Sequence, residues 1–265
     1  MPDSPGWKSI EDLADAVRTC TRCRLHSGRT NAVPGDGSPV ASILIIGEGP
    51  GFNEDEQGLP FVGRSGKLLD ELLAAVPLAR KDVFITNVVK CRPPENRDPQ
   101  PDEVAACRPY LERQMELLDP KVIVTLGRHS LQRFYPEGRI SKDHGKILWW
   151  NDRILFPLFH PAAGLRNPAV KRNLQEDVLR LPDALRESLR RPSGRISSET
   201  SAEALGPPQP GPAAPGPVDT PAWRAEGARA GADRGGPEPD TQLSEPQIEN
   251  ETSEEEQGDR QLGLL

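Results

Sequence analysis

Aromatic residues fill only 5% of the 265 positions and methionine occurs twice, so large side chains for a core are few. No uninterrupted apolar run approaches the ~20 residues needed to span a bilayer, and the opening MPDSPGWKSIEDL carries no apolar signal segment. Neither a G-x-G-x-x-G dinucleotide fingerprint nor a Walker A sequence is present. Cysteine is scarce as well, at Cys20, Cys23, Cys91 and Cys107. These absences exclude a membrane span and the common nucleotide-binding loops. They point to a soluble intracellular protein, in which four cysteines favour a metal site over a disulfide framework.

Hydrophobic residues reach 35%, against 29 prolines and 24 glycines. That average joins two different polymers. Residues 191–265 hold 6 basic and 14 acidic residues, 11 prolines, 10 glycines and one aromatic, Trp223. Such a segment cannot bury enough apolar surface to offset its ordering entropy, and a disordered Pro/Gly-rich acidic tail is expected there. Residues 1–190 hold 27 basic and 26 acidic residues and are expected to form one folded domain. The whole-chain charge of −7 therefore belongs to the tail, and does not argue against an anionic partner for the folded part.

Ser9 and Asp12 form a capping-box pattern ahead of a short helix that ends near Cys20. ASILIIG (41–47) is a nearly continuous apolar run, as a strand covered on both faces requires. A glycine-rich loop follows, then a helix from about Ser65 with Leu68, Leu69, Leu72, Leu73 and Val76 on one side. DVFITN (82–87) and KVIVTLG (121–127) repeat the strand pattern, separated by a helix that starts at Pro101. Residues 146–150 are candidates to pair with RILFPLFH (153–160), and a last helix is expected near 170–186. The alternation predicts a three-layer α/β/α sandwich around a central, mostly parallel four-stranded sheet. In such a fold GEGPG, NVVKCRPPEN and HPAAGLRN share the rim beyond the carboxyl ends of the strands.

The candidates for chemistry lie on that rim. Glu48 can orient or activate a water molecule, although a solvated loop glutamate is the plainer reading. Phe61 offers a stacking face for a base or a core plug. Asn87 carries a donor and an acceptor, as reading a pyrimidine amide edge requires, or simply turns the chain after a strand. Asn96 sits in a turn-rich loop where a structural role is the default. Ser65 can meet a phosphate or cap its helix. His160, at the exit of a buried strand, can donate to an oxygen gaining negative charge. His26, His129 and His144 are read as packing or capping residues. Leu165 and Arg166 suit an apolar wedge and a phosphate contact, and Arg64, Lys67, Lys171 and Arg172 add local positive charge. Four thiolates can ligate zinc or an iron–sulfur cluster; their spacing does not choose, and buried inert cysteines or a redox pair stay open.

Taken together, CTRCRLHSGRT (20–30), GEGPGFNED (47–55), GLPFVGRSGKLLD (58–70), ITNVVKCRPPENRDPQPDE (85–103), Cys107 and FHPAAGLRNP (159–168) resemble the iron–sulfur uracil-DNA glycosylases of the thermostable type, family 4. The resemblance spans roughly residues 9 to 180. It implies a monofunctional enzyme that hydrolyses the N-glycosidic bond of deoxyuridine in DNA, leaving an abasic site for base excision repair. It implies a [4Fe-4S] cluster on Cys20, Cys23, Cys91 and Cys107. Phe61 would lie under the extruded uracil, with Asn87 reading its edge and His160 donating to its oxygen. Glu48 would position the water, Gly49 line the same place, and Asn96 add a pocket or water contact. Leu165 or Arg166 would probe the vacated helix space, and Ser65 would join the substrate contacts. The expected partner is uracil-containing DNA and the expected state a monomer in the cytoplasm, nucleoid-associated when on DNA. The acidic tail is a solubility segment, a DNA mimic or a docking arm for a repair protein.

The chain departs from the family at Ala163-Gly164, where bulkier residues are common. Three alternatives accompany the glycosylase reading: a uracil-DNA capture protein, a noncatalytic DNA-binding module of the same fold, and a generic iron–sulfur redox protein. The capture group carries GEQPG where this chain has GEGPG, and His144 is the residue that would revive it.

Overall fold

In the computed structural model residues Gly6–Arg190 are described; the expected acidic tail lies outside them. The first helix, α1 (Ile10–Arg18), is capped by Ser9, whose hydroxyl accepts from the Asp12 N–H at 3.0 Å. The Asp12 carboxylate returns to the Lys8 N–H, one residue earlier than a capping box predicts. Six strands follow: β1 (Asp36–Gly37), β2 (Ile43–Gly47), β3 (Phe84–Asn87), β4 (Val122–Leu126), β5 (Leu148–Trp150) and β6 (Arg153–Leu158), in the sheet order β1-β3-β2-β4-β6-β5.

The sheet is therefore mixed and six-stranded, which corrects the expected four. The four inner strands pair in parallel, and the short edges β1 and β5 pair antiparallel. The inner strands carry the apolar runs because both of their faces are covered. Leu44, Ile46, Phe84, Ile123 and Leu155 face α1 and α4 (Pro101–Leu118). Ile43, Ile45, Ile85, Val124 and Phe156 face α3 (Arg64–Ala74), α8 (Pro168–Val178) and α9 (Leu181–Arg190). The pleat sends alternate residues to opposite layers, giving the α/β/α sandwich.

Three smaller differences have local causes. The glycine-rich loop contains a short helix, α2 (Phe52–Gln57), with Glu54 and Asp55 in its first turn. The helix expected over 170–186 is two helices, since Pro182 has no N–H to continue the ladder from α8 into α9. The short helix expected after KVIVTLG, containing Leu131, is α5 (Arg128–Gln132), at the end of β4; the further short helices are α6 (Ile140–Asp143) and α7 (Pro161–Arg166), the latter leaving the end of β6. All four parallel strands end on one edge, which is where the functional loops gather. Among the described residues no helix is long and apolar enough to cross a membrane.

Candidate active site

The β2–β3 register sets Gly47 beside Asn87 at the carboxyl ends of both strands. A Cβ on Gly47 would fall on the Asn87 carboxamide oxygen and within 2.6 and 2.8 Å of two Phe61 ring carbons. Only hydrogen fits there, so the amide and the ring close over the Gly47 Cα. The Phe61 ring in turn lies 5.8 Å from the His160 ring, centroid to centroid, at a 32° tilt. Phe61, Asn87 and His160, separated by up to a hundred positions in sequence, thus share one place.

Phe61 is held there against its own preference. Its φ is +52°, a conformation that a bulky side chain rarely adopts. Arg80 donates to the Phe61 carbonyl and, at 3.1 Å, to that of Pro60, while its Nε binds Asp70 on α3 at 2.7 Å. The Glu54 carboxylate collects the N–H groups of Val62 and Gly63, both at 2.9 Å, and of Gly51 at 3.1 Å. Gly66 lets the first turn of α3 close on the Phe61 carbonyl, where any Cβ would overlap it. Such strain persists only where the surrounding structure holds it, as Arg80, Glu54 and Gly66 do here. Glu54, Arg80 and Gly66 carried no signal in the sequence beyond their type.

Asn87 is buried, with φ in the ordinary range, and its side-chain oxygen has no hydrogen-bond partner. An acceptor desolvated without a donor costs about 1–3 kcal/mol, so an N–H supplied from outside is the natural complement. The end of β3 is fixed from behind by Lys90. Its buried ammonium donates to Thr86 Oγ1, the Asn87 carbonyl and Gln114 Oε1, each at 2.7 Å. Burial pushes Lys90 down to about 8. Sequence reasoning missed this residue because a lysine reads as a solvated charge.

His160 caps α7 by accepting the Ala162 N–H at Nδ1, 3.1 Å away. Burial, aided by the positive charge of Arg166, pushes its pKa down to about 4. The ring is therefore neutral at pH 7, and with Nδ1 accepting, its proton sits on Nε2.

Glu48 follows Gly47 on the same loop. Burial raises its carboxyl above the usual carboxylate range, against the pull of His129, whose Nε2 lies 3.8 Å from Oε2. His129 also lies 3.0 Å from Asp98, so the structure places it beside the candidate water-activating group rather than in packing alone. A cavity of about 360 Å³, lined among others by Glu48, His129, Pro99, Arg108 and Arg133, opens beside them. Gly49 is roofed by Val89, whose Cγ2 would meet a Cβ at 2.9 Å.

The remaining candidates spread along the rim. Asn96, at φ +55°, uses its side-chain oxygen to accept from Arg92 at 2.8 Å and is not joined to the Phe61–Asn87–His160 group by any hydrogen bond. Ser65 does not cap α3, whose N-cap is Gly63; Glu54 takes that N–H instead. Leu165, 38% accessible, and Arg166 are both exposed on α7. Gly164 of the same helix is buried, with Leu174 and Leu68 at 2.9 and 3.2 Å from where a Cβ would stand, so small size there lets α7 seat on α3 and α8. His144 is engaged by Asp177 at 2.7 Å and packs on Phe159.

The four cysteines are free thiols in one layer of the core, Cys91 and Cys107 buried, Cys20 and Cys23 packed against it. The arm bearing Cys20 and Cys23 is tied to α4 through Arg24 and Asp102, 2.6 Å apart. N–H groups already point at three sulfurs: Arg22 N at 3.4 Å from Cys20, Arg29 Nη1 at 3.0 Å from Cys91, and Lys90 N at 3.3 Å from Cys107. Burial raises Cys23 and Cys91 and pushes Cys107 up to about 12. This donor set, with N–H groups aimed at sulfur, suits a thiolate-ligated metal group.

The sequence profile of the Uracil DNA glycosylase superfamily matches residues 34–181. The chain is 48% identical over 183 residues to a type-4 uracil-DNA glycosylase of Sulfurisphaera tokodaii, covering 65% of this chain and 83% of the relative. It is 48% identical over 187 residues to that of Saccharolobus solfataricus, with 67% and 87% covered. With that of Archaeoglobus fulgidus it shares 43% over 183 residues, covering 66% and 92%. Similarity that spans 83–92% of each of these relatives, together with the superfamily profile over residues 34–181, establishes that this chain belongs to the type-4 uracil-DNA glycosylases of the uracil-DNA glycosylase superfamily.

Proposed function

We propose that the protein removes uracil from DNA by hydrolysing the bond between N1 of the base and C1′ of the deoxyribose. The base leaves the stack first, which is easiest for uracil mispaired with guanine. Its ring lies on Phe61. The uracil N3–H donates to the orphaned Asn87 oxygen, and the Asn87 N–H donates to uracil O4. As the N1–C1′ electrons move onto the base, the His160 Nε2–H donates to the uracil oxygen gaining charge. A neutral imidazole suits this task because its hydrogen bond strengthens as that charge develops. Water bonds to C1′ and gives its proton to Glu48. Lys90, the lysine bonded to the Asn87 carbonyl, is buried behind β3 and also engaged by Thr86 and Gln114, so it does not act as a nucleophile and the product is an abasic site with its strand intact. Gly49 lines the water side, Ser65, Leu165 and Arg166 contact the DNA, and Asn96 acts through the loop that it braces.

Cys20, Cys23, Cys91 and Cys107 are the residues that would hold a [4Fe-4S] cluster. A tetrahedral zinc at ~2.3 Å from each sulfur would draw the sulfurs to roughly 3.8 Å of one another. No three of these sulfurs come within 4.8 Å of one another, which favours a wider group. When bound, the cluster supplies four iron–thiolate bonds that join arm, loop and helix.

The carrying observation is the buried, partnerless Asn87 oxygen beside Phe61. Against capture, a glutamine at position 49 would begin 2.9 Å from Val89 Cγ2. His160→Ala and Asn87→Ala test the assignment: both are expected to keep the cluster and lose uracil release. Release at the unmodified rate in either would overturn that residue's role.

A further inference from the structure

We propose that His129, oriented by Asp98, positions the Glu48 carboxylate for its encounter with water; the inference rests on the water-activating role given to Glu48 above. Among the described residues no hydrogen bond reaches that carboxylate, and its ion-pair contact is His129 Nε2 at 3.8 Å. A half-buried carboxylate with only one such contact has several orientations open to it, while attack on C1′ requires one of them. His129 is the second residue of α5, after Arg128, and its Nε2 lies between Asp98 Oδ2 at 3.0 Å and Glu48 Oε2. With the proton on Nε2, the imidazole turns the positive edge of its ring to both carboxylates, favouring the Glu48 anion that burial disfavours.

The third neighbour of the imidazole is Arg128, whose Nη2 lies 2.8 Å from His129 Nε2 and 3.4 Å from Asp98 Oδ2. A guanidinium only donates, so a bond from Arg128 to Nε2 and a proton on Nε2 exclude each other. Asp98 Oδ2 lies nearer to Nε2, at 3.0 Å, than to Arg128 Nη2, at 3.4 Å, which favours the proton on Nε2. Glu48, Asp98 and His129 would otherwise resemble a cation site, but the Arg128 guanidinium already supplies the positive charge there.

A double-mutant cycle tests this, using the cluster-bearing full chain and a single-uracil oligonucleotide, with single-turnover release and DNA affinity measured separately. His129→Ala is expected to slow release about 10- to 100-fold with affinity unchanged. In a Glu48→Gln background the same substitution is expected to add no further slowing. His129→Gln, whose Nε2–H stands near that of the imidazole, is expected to recover most of the rate. Equal slowing in both backgrounds would overturn positioning through Glu48, as would a wild-type rate for His129→Ala beside a slow Glu48→Gln. A fast Glu48→Gln would instead overturn the role of Glu48 and the inference with it. Asp98→Asn, at a 64% exposed side chain, repeats the cycle should His129→Ala fail to fold.

Discussion

Replacing Asn87 by alanine separates two roles that make opposite demands. The Asn87 oxygen is buried and unpartnered in the free protein, at a penalty of about 1–3 kcal/mol. Alanine removes that penalty and loses the packing of a small side chain, roughly 1–2 kcal/mol. The two effects nearly cancel, so the melting temperature is expected to move by no more than about 4 °C in either direction. Catalysis has no such compensation. The truncated site leaves the uracil N3–H and O4 facing apolar surface, and single-turnover release is expected to fall by about 10²- to 10³-fold. Thermal melting of the cluster-bearing protein and rapid-quench measurement of free uracil give the two numbers. Had Asn87 served to turn the chain, the order would invert, with a marked loss of stability and near-normal release. That inverted result would refute the argument from the orphaned acceptor.

Four further outcomes follow from the same geometry. Gly66→Ala drives a Cβ into the Phe61 carbonyl, so α3 must shift; a loss of about 1–3 kcal/mol and a matching loss of uracil affinity are expected in melting and binding assays. Glu54→Ala frees three N–H groups that brace the Phe61 loop, with an expected loss of about 2 kcal/mol, or roughly 4–8 °C, and a raised KM. On acidification Glu48 gains its proton before His160, because burial raises the first and depresses the second to about 4. The acid limb of the single-turnover rate is therefore expected above the ordinary carboxylate range and to vanish in Glu48→Gln. The folded His160 titrates below its unfolded value of about 6.5, so its part of the stability is complete above that pH and is lost as pH falls toward 4. Denaturant titrations from pH 7 to 4 are expected to show a shallower decline in His160→Gln.

The inner sheet was legible because Ile43–Gly47, Phe84–Asn87 and Val122–Leu126 are buried on both faces and have no polar alternation. From those strands the rim followed, and with it Phe61, Asn87 and His160. The edge strand Asp36–Gly37 could not be read, since two polar, turn-forming residues become a strand only through pairing with Ile85 and Phe84. Ser65 read as a cap or a phosphate contact because hydroxyls cap helices locally, whereas α3 already starts at Arg64 with Gly63 as its N-cap, which puts Ser65 inside the first turn. The contacts of His129 and Lys90 could not be read for a related reason. Each takes its meaning from partners distant in sequence, Glu48 and Asp98 for the first, Gln114 for the second. Residue type and spacing cannot supply such contacts.

The most direct measurement uses anaerobically purified protein with three oligonucleotides that differ only in carrying uracil, thymine or cytosine at one position. Free base is quantified by chromatography, abasic sites by alkaline cleavage, and retained DNA on a denaturing gel. Many equivalents of free uracil per protein molecule are predicted, with an unbroken abasic strand, no thymine or cytosine released and no retained DNA. Tight binding to the uracil strand without release, from protein with its cluster intact, would contradict the account, as would an adduct that survives denaturation.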